Sequence, residues 1–132
     1  MIAIDTNVLV RFIVADHPEQ FERALRLMRG SDVYIGHTVL LACEWVLRSA
    51  YGTTRREIAA AFEGIAGLPN VTVESPAVLV DAIKAYRGGM DFADALHVIR
   101  ANDANVPTFA TFDEGLVKRS SKVGRQVRVL GI

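Results

Sequence analysis

Four carboxylates in this sequence stand where the surrounding apolar pattern gives no reason for a charge. Asp5 follows Ile2-Ala3-Ile4 directly, and Thr6 and Asn7 come next. Glu44 interrupts TVLLACEWVLRSAY, and its neighbours at helical spacing are Leu40, Leu41, Leu47 and Arg48. Asp94 lies in GGMDFADALHVIRA, flanked by Phe92, Ala93, Ala95 and Leu96, three residues after Asp91. Asp113 closes PTFATFD just after Thr111. Each has a structural reading. Asp5 and Asp113 suit helix N-caps, and Thr6 and Asn7 cap and turn as well. Arg48 offers Glu44 an i,i+4 partner. Asp91 in a first turn is favoured by the helix dipole. Capping explains Asp94 least.

Two of these residues fall beyond candidate strand ends and two on otherwise apolar helix faces. Brought together they make an all-oxygen site. Two carboxylates within about 4 Å repel by roughly 4 kcal/mol even at an effective dielectric near 20, so a cation must offset them. Oxygen ligands select hard cations, Mg²⁺ or Mn²⁺ rather than zinc. Such an ion suits in-line phosphodiester hydrolysis, because it activates water and stabilises charge on the phosphate.

A basic run follows the last carboxylate. Lys118, Arg119, Lys122, Arg125 and Arg128 crowd a segment in which Glu114 is the only acid after Asp113. They are candidates to grip a nucleic-acid backbone, and the alternative is a solvated face. Arg dominates the basic residues, 12 of 15, and its planar fork suits phosphate. His17, His37 and His97 read as satisfied core or surface histidines, although Asp94 and His97 share the i,i+3 spacing of some metal sites. Cys43 reads as a small apolar residue.

The elements that must position these groups follow from periodicity. Strands are expected at residues 2–4, 33–35, 71–73, 107–110 and 127–130. Helices are expected at 18–29, 38–51, 54–65, 76–87, 91–104 and 113–120. Thr54 and Glu57 have the spacing of a capping box. The helix at 38–51 carries apolar residues nearly all round, which predicts burial on every side, by the sheet and a neighbouring helix or by a partner. Strands alternating with helices point to an α/β fold with a parallel sheet covered on both faces, where ligands bind beyond the carboxyl ends of the strands.

Composition bounds the rest. At 132 residues, 51% hydrophobic and 23% charged, the chain suits one globular domain, residues 1–132. Its net charge of zero names no partner. One cysteine excludes an internal disulfide and fits a reducing compartment. No run approaches a membrane span, and no signal peptide opens the chain. A bacterial-type cytoplasmic protein is expected.

Taken in order, IDTNVLV, the helix with Glu44, DFADAL and ATFD make the whole chain resemble the PIN-domain family, and within it VapC-type toxins of type II toxin–antitoxin modules. The resemblance implies a three-layer α/β/α sandwich around a central parallel sheet. It implies a metal-dependent endoribonuclease, with Asp5, Glu44, Asp94 and Asp113 holding Mg²⁺ or Mn²⁺ and Asp91 as an auxiliary acid. Thr6, Asn7 and Thr111 become supports that orient ligands or water. RNA is the implied substrate, a small antitoxin the implied inhibitor, and a homodimer the implied assembly. Three other readings stay open: another metal-dependent phosphoesterase or DNA nuclease, a receiver-like signalling domain, and a binding module without activity.

Overall fold

A computed structural model describes residues 1–120 and 127–132. The chain divides into two compact units, Met1–Pro76 and Ala77–Ile132. In the first unit the elements run β1 (Ile2–Ala3), α1 (Thr6–Val14), α2 (Pro18–Gly30), β2 (Val33–Ile35), α3 (His37–Tyr51), α4 (Arg55–Ala66) and β3 (Val71–Val73). The three strands are parallel, in the order β1-β2-β3, with Ala3 opposite Tyr34 and Tyr34 opposite Thr72. Parallel neighbours need long crossovers, and the helices supply them. The ladder runs past the strand ends, since Ile4 N–H donates to the Tyr34 carbonyl and Glu74 N–H to that of Ile35. The chain therefore leaves the carboxyl edge of this sheet at Asp5, at Gly36-His37 and at Glu74.

Local chemistry explains most of the helix ends. His17 Nδ1 accepts from Gln20 N–H at 3.1 Å, and Pro18 opens α2. Both bonds of the expected Thr54–Glu57 capping box form ahead of α4. They hold the Glu57 carboxyl below its usual range, the Thr54 side chain contributing most. Gly52 ends α3 at φ 63°, a left-handed conformation that favours glycine. Asn70 ties the end of α2 to the start of β3, donating to the carbonyls of Met28 and Ser31 at 2.6 and 2.7 Å.

Three features differ from the sequence pattern. Helix α1 occupies a stretch to which periodicity assigned no element. The first strand is not buried: Ile2 is 43% exposed, and the burial falls on Ile4. Helix α3 is not covered all round either. It buries Leu40, Cys43, Glu44 and Leu47 but leaves Trp45 61% exposed.

The second unit contains α5 (Pro76–Arg87, beginning at the boundary), α6 (Phe92–Asp103), β4 (Thr108–Thr111), α7 (Glu114–Ser120) and β5 (Arg128–Gly131). Strands β4 and β5 are parallel, with Thr108 opposite Arg128 and Thr111 opposite Gly131. Tyr86 meets Phe92 edge to face, with ring centroids 5.3 Å apart, and so pins α5 to α6. The turn between them uses Gly89 at φ 109°, which an L side chain rarely adopts. Leu79, Ile83, Leu96, Ile99 and Leu116 are among its buried residues. The α/β class with parallel strands is the one the pattern predicts. Among the described residues no helix is long and apolar enough to cross a membrane.

Candidate active site

Asp5 lies two residues beyond β1, and its Oδ1 accepts from Val8 N–H at 3.0 Å. It is the N-cap of α1. Among the described residues of its unit, Oδ2 takes no hydrogen bond. Capping therefore uses one oxygen and leaves the other exposed. Thr6, the first residue of α1, is half-buried, and Asn7 is exposed. Asp5 and Asn7 line a cleft of about 370 Å³ with Val8, Arg11, Gln20 and Arg23. Arg11 is pinned there. Its Nε donates to Gln20 Oε1 at 2.7 Å, and its Nη1 donates to Asp16 and to the Tyr51 hydroxyl at 3.2 and 3.0 Å.

Glu44 is buried, with 3% of it exposed. Both its oxygens accept from Arg48 Nε, at 3.2 and 3.1 Å. The i,i+4 pairing is thus realised, and any ion at Glu44 would share it with a guanidinium. Next to it, burial first and the Glu44 charge second push the Cys43 thiol up to about 12, so Cys43 is an inert packing residue. The sequence pattern passed over Glu74, which repeats the grammar of Asp5: VTVE, like IAID, ends a strand on an acid. Glu74 Oε1 accepts from His37 N–H at 3.0 Å, and Oε2 lies 3.4 Å from the buried His37 Nδ1. That contact has the distance of an ion pair but not hydrogen-bond geometry, since both His37 ring nitrogens lack a hydrogen-bond partner among the described residues.

In the second unit Asp113 follows the same grammar. Its Oδ1 accepts from Leu116 N–H at 3.1 Å and caps α7, while Thr111 Oγ1 accepts from Asp113 N–H at 3.0 Å. The carboxylate rests against Gly115. A Cβ there would come within 3.1 Å of Asp113 Oδ1 and 3.7 Å of Arg119 Nη2. Asp91 occupies the N-cap position of α6 but makes no side-chain capping bond, and Asp94 is in the first turn. The Asp94 carboxyl is raised above its ordinary value, by burial first and then by the charges of Asp91 and Asp113. His97 and Arg119 pull it back down. Asp91, Asp94 and Asp113 are therefore one electrostatic cluster with surplus negative charge. His97 itself is exposed and stacks on Phe109 at 6.4 Å.

The basic candidates separate. Lys118 and Arg119 are exposed on α7, and Arg119 is the one whose charge reaches Asp94. Arg128 opens β5 opposite Thr108. That is about 10 Å along the strand from the end at which Asp113 lies. Lys122 and Arg125 lie outside the described residues.

Among the described residues, no group of three or more His, Cys, Asp or Glu side chains could by itself hold a metal ion. The donor chemistry nonetheless fits a hard divalent cation. The candidates are all carboxylates, burial and then the charges of Asp91 and Asp113 disfavour the ionised Asp94, and Mg²⁺ binds proteins through one or two carboxylates while keeping several waters. Compared with known families, residues 2–122 match the model of the PIN domain. No curated protein matches the chain.

Proposed function

The chain belongs to the PIN-domain family, whose members are generally metal-dependent nucleases, and on that premise we propose that it is an endoribonuclease, the VapC-type toxin of a type II toxin–antitoxin pair. The observation that carries this reading is the carboxylate of Asp94, half-buried in the first turn of α6 and facing the charges of Asp91 and of Asp113 beyond β4. It is an arrangement that costs stability unless a cation uses it. In this reading Asp5, Glu44, Asp94 and Asp113 hold Mg²⁺ or Mn²⁺, and the two units make one domain. The family match, which extends across both units, supports that. The bound ion supplies water activation and charge stabilisation at phosphorus.

The chain's own residues do the positioning. Thr111 and the first turn of α7 fix Asp113, and Asp91, whose side chain makes no capping bond, adds negative charge beside Asp94 for the ion to offset. Thr6 and Asn7 follow Asp5 into the first turn of α1, and Asn7 lines the α1–α2 cleft with it. Arg119 would hold a phosphate, a role supported by its exposure and by its forming no ion pair with the carboxylates among the described residues. The exposed Trp45 on α3 supports a homodimer or an antitoxin contact, because a large aromatic side chain in water is a common anchor of protein interfaces. A cytoplasmic setting follows from the toxin reading.

The test is purified protein incubated with RNA, with single-stranded DNA and with a small phosphomonoester, in EDTA and then with Mg²⁺ or Mn²⁺ restored. Cleavage confined to RNA and dependent on the ion is expected. RNA cleavage that persists unchanged in EDTA would overturn the metal mechanism, and preference for DNA or the monoester would overturn the substrate.

A further inference from the structure

Phe112 is 84% exposed, more than any other large apolar side chain among the described residues. Isolated exposed apolar residues are ordinary, so its position matters more than its exposure. It sits between Thr111 and Asp113, and the backbone on either side of it is fixed. Asp113 N–H donates to Thr111 Oγ1 at 3.0 Å, Leu116 N–H to Asp113 Oδ1 at 3.1 Å, and Ile132 N–H to the Thr111 carbonyl at 3.0 Å. A rigid turn thus holds the ring in solvent, and no ring contact to Phe112 exists among the described residues. Its Cα is about 3.8 Å from that of Asp113, so the ring and the carboxylate spring from adjacent positions of the same turn. Lys118 and Arg119 are exposed on the helix that Asp113 caps.

An aromatic face beside cations is the arrangement by which proteins hold single-stranded nucleic acid, the ring stacking on a base and the cation meeting the backbone. The core of a protein interface is instead depleted in charge, and Phe112 is followed directly by Asp113 and Glu114. We propose that Phe112 is a stacking platform for one unpaired base of the RNA, next to the phosphate that is cut. The proposal rests on the ribonuclease reading above and adds a positioning residue to it.

The experiment uses the full chain with Phe112→Ala and Phe112→Trp. Binding of a short single-stranded RNA is read by fluorescence anisotropy in EDTA, and steady-state cleavage is read with the ion restored. Phe112→Ala should weaken binding about 5- to 150-fold and raise KM with kcat little changed, while Phe112→Trp retains both. Removing the stacked base from the RNA should reproduce the loss in the wild type, and Phe112→Ala should then add nothing. Melting temperatures should not move, because the ring is in water. Equal RNA affinity for Phe112→Ala and wild type overturns the platform, while cleavage by the wild type would leave the ribonuclease reading standing. A variant that loses oligomeric mass at unchanged RNA affinity makes the ring a protein contact and also overturns it. A wild type that neither binds nor cuts RNA overturns the ribonuclease reading and the platform together.

Discussion

At the scale of single residues, Asp94 separates catalysis from architecture. Its carboxyl is raised by burial and by Asp91 and Asp113, so folding makes its charged form less favourable than in the unfolded chain. The stability it contributes is full below the ordinary carboxylate value and is lost as pH rises through the raised one. Near neutrality the ion-free protein therefore carries a destabilising charge, worth about 1 kcal/mol or less after solvent screening. Asp94→Asn in EDTA should melt at the same temperature as wild type or higher, with the gap opening from acid to neutral pH. RNA cleavage by the same variant should collapse. A clear fall in melting temperature with activity kept would make Asp94 scaffolding. The sequence singled this residue out as a charge that capping does not explain, whereas the structure puts it in the first turn of α6, where the helix dipole favours an acid. The sequence displayed Asp5 and Asp113 as either caps or ligands, and the structure shows both as caps, a role that does not exclude the other. One oxygen caps while, for Asp5, the other stays exposed, a division that residue type cannot reveal.

At the scale of elements, α3 raises the question of what Arg48 does for Glu44. The pair joins a buried carboxylate to a guanidinium that is 51% exposed. Arg48→Met keeps the apolar stem and removes the charge. It should cost about 1–3 kcal/mol in EDTA, less than the 3–5 kcal/mol of a fully buried pair. If Glu44 is a ligand, saturating Mg²⁺ or Mn²⁺ should raise the melting temperature of Arg48→Met more than that of wild type, since the ion replaces the lost counter-charge. Equal losses with and without the ion would remove Glu44 from the ligand set. Most elements were legible to within a residue or two, because Thr54, Pro18, Gly52 and Gly88-Gly89 punctuate them. Helix α1 was not. Its run VLVRFIV is rich in β-branched residues that favour strands, and it ends at Ala15 with φ 58° rather than at a glycine. Burial of Leu9 and Val10, together with the Asp5 cap, decides for helix, and burial is a tertiary fact. The exposure of Trp45 is another, since its neighbours read as a helix buried all round.

At the scale of the whole molecule, the candidate ligands divide between two compact units: Asp5 and Glu44 fall in Met1–Pro76, and Asp94 and Asp113 in Ala77–Ile132. A single domain built around one ion makes a calorimetric prediction. The chain should unfold in one transition with an enthalpy of roughly 90 kcal/mol near 60 °C, whereas units folding independently would give roughly 50 and 40 kcal/mol in separate steps. The van't Hoff enthalpy of the single transition should equal the calorimetric one. A ligand that binds only the folded chain raises stability by about 2.7 kcal/mol at a hundred times its Kd, so Mg²⁺ or Mn²⁺ should move that one transition as a whole. If the four carboxylates share one ion, Asp5→Asn, in the first unit, and Asp94→Asn, in the second, should each abolish the shift. Two transitions, of which the ion moves one and only one of these variants abolishes the movement, would mean that each unit meets cations on its own account. The four carboxylates would then not form a quartet, however regular their order along the chain.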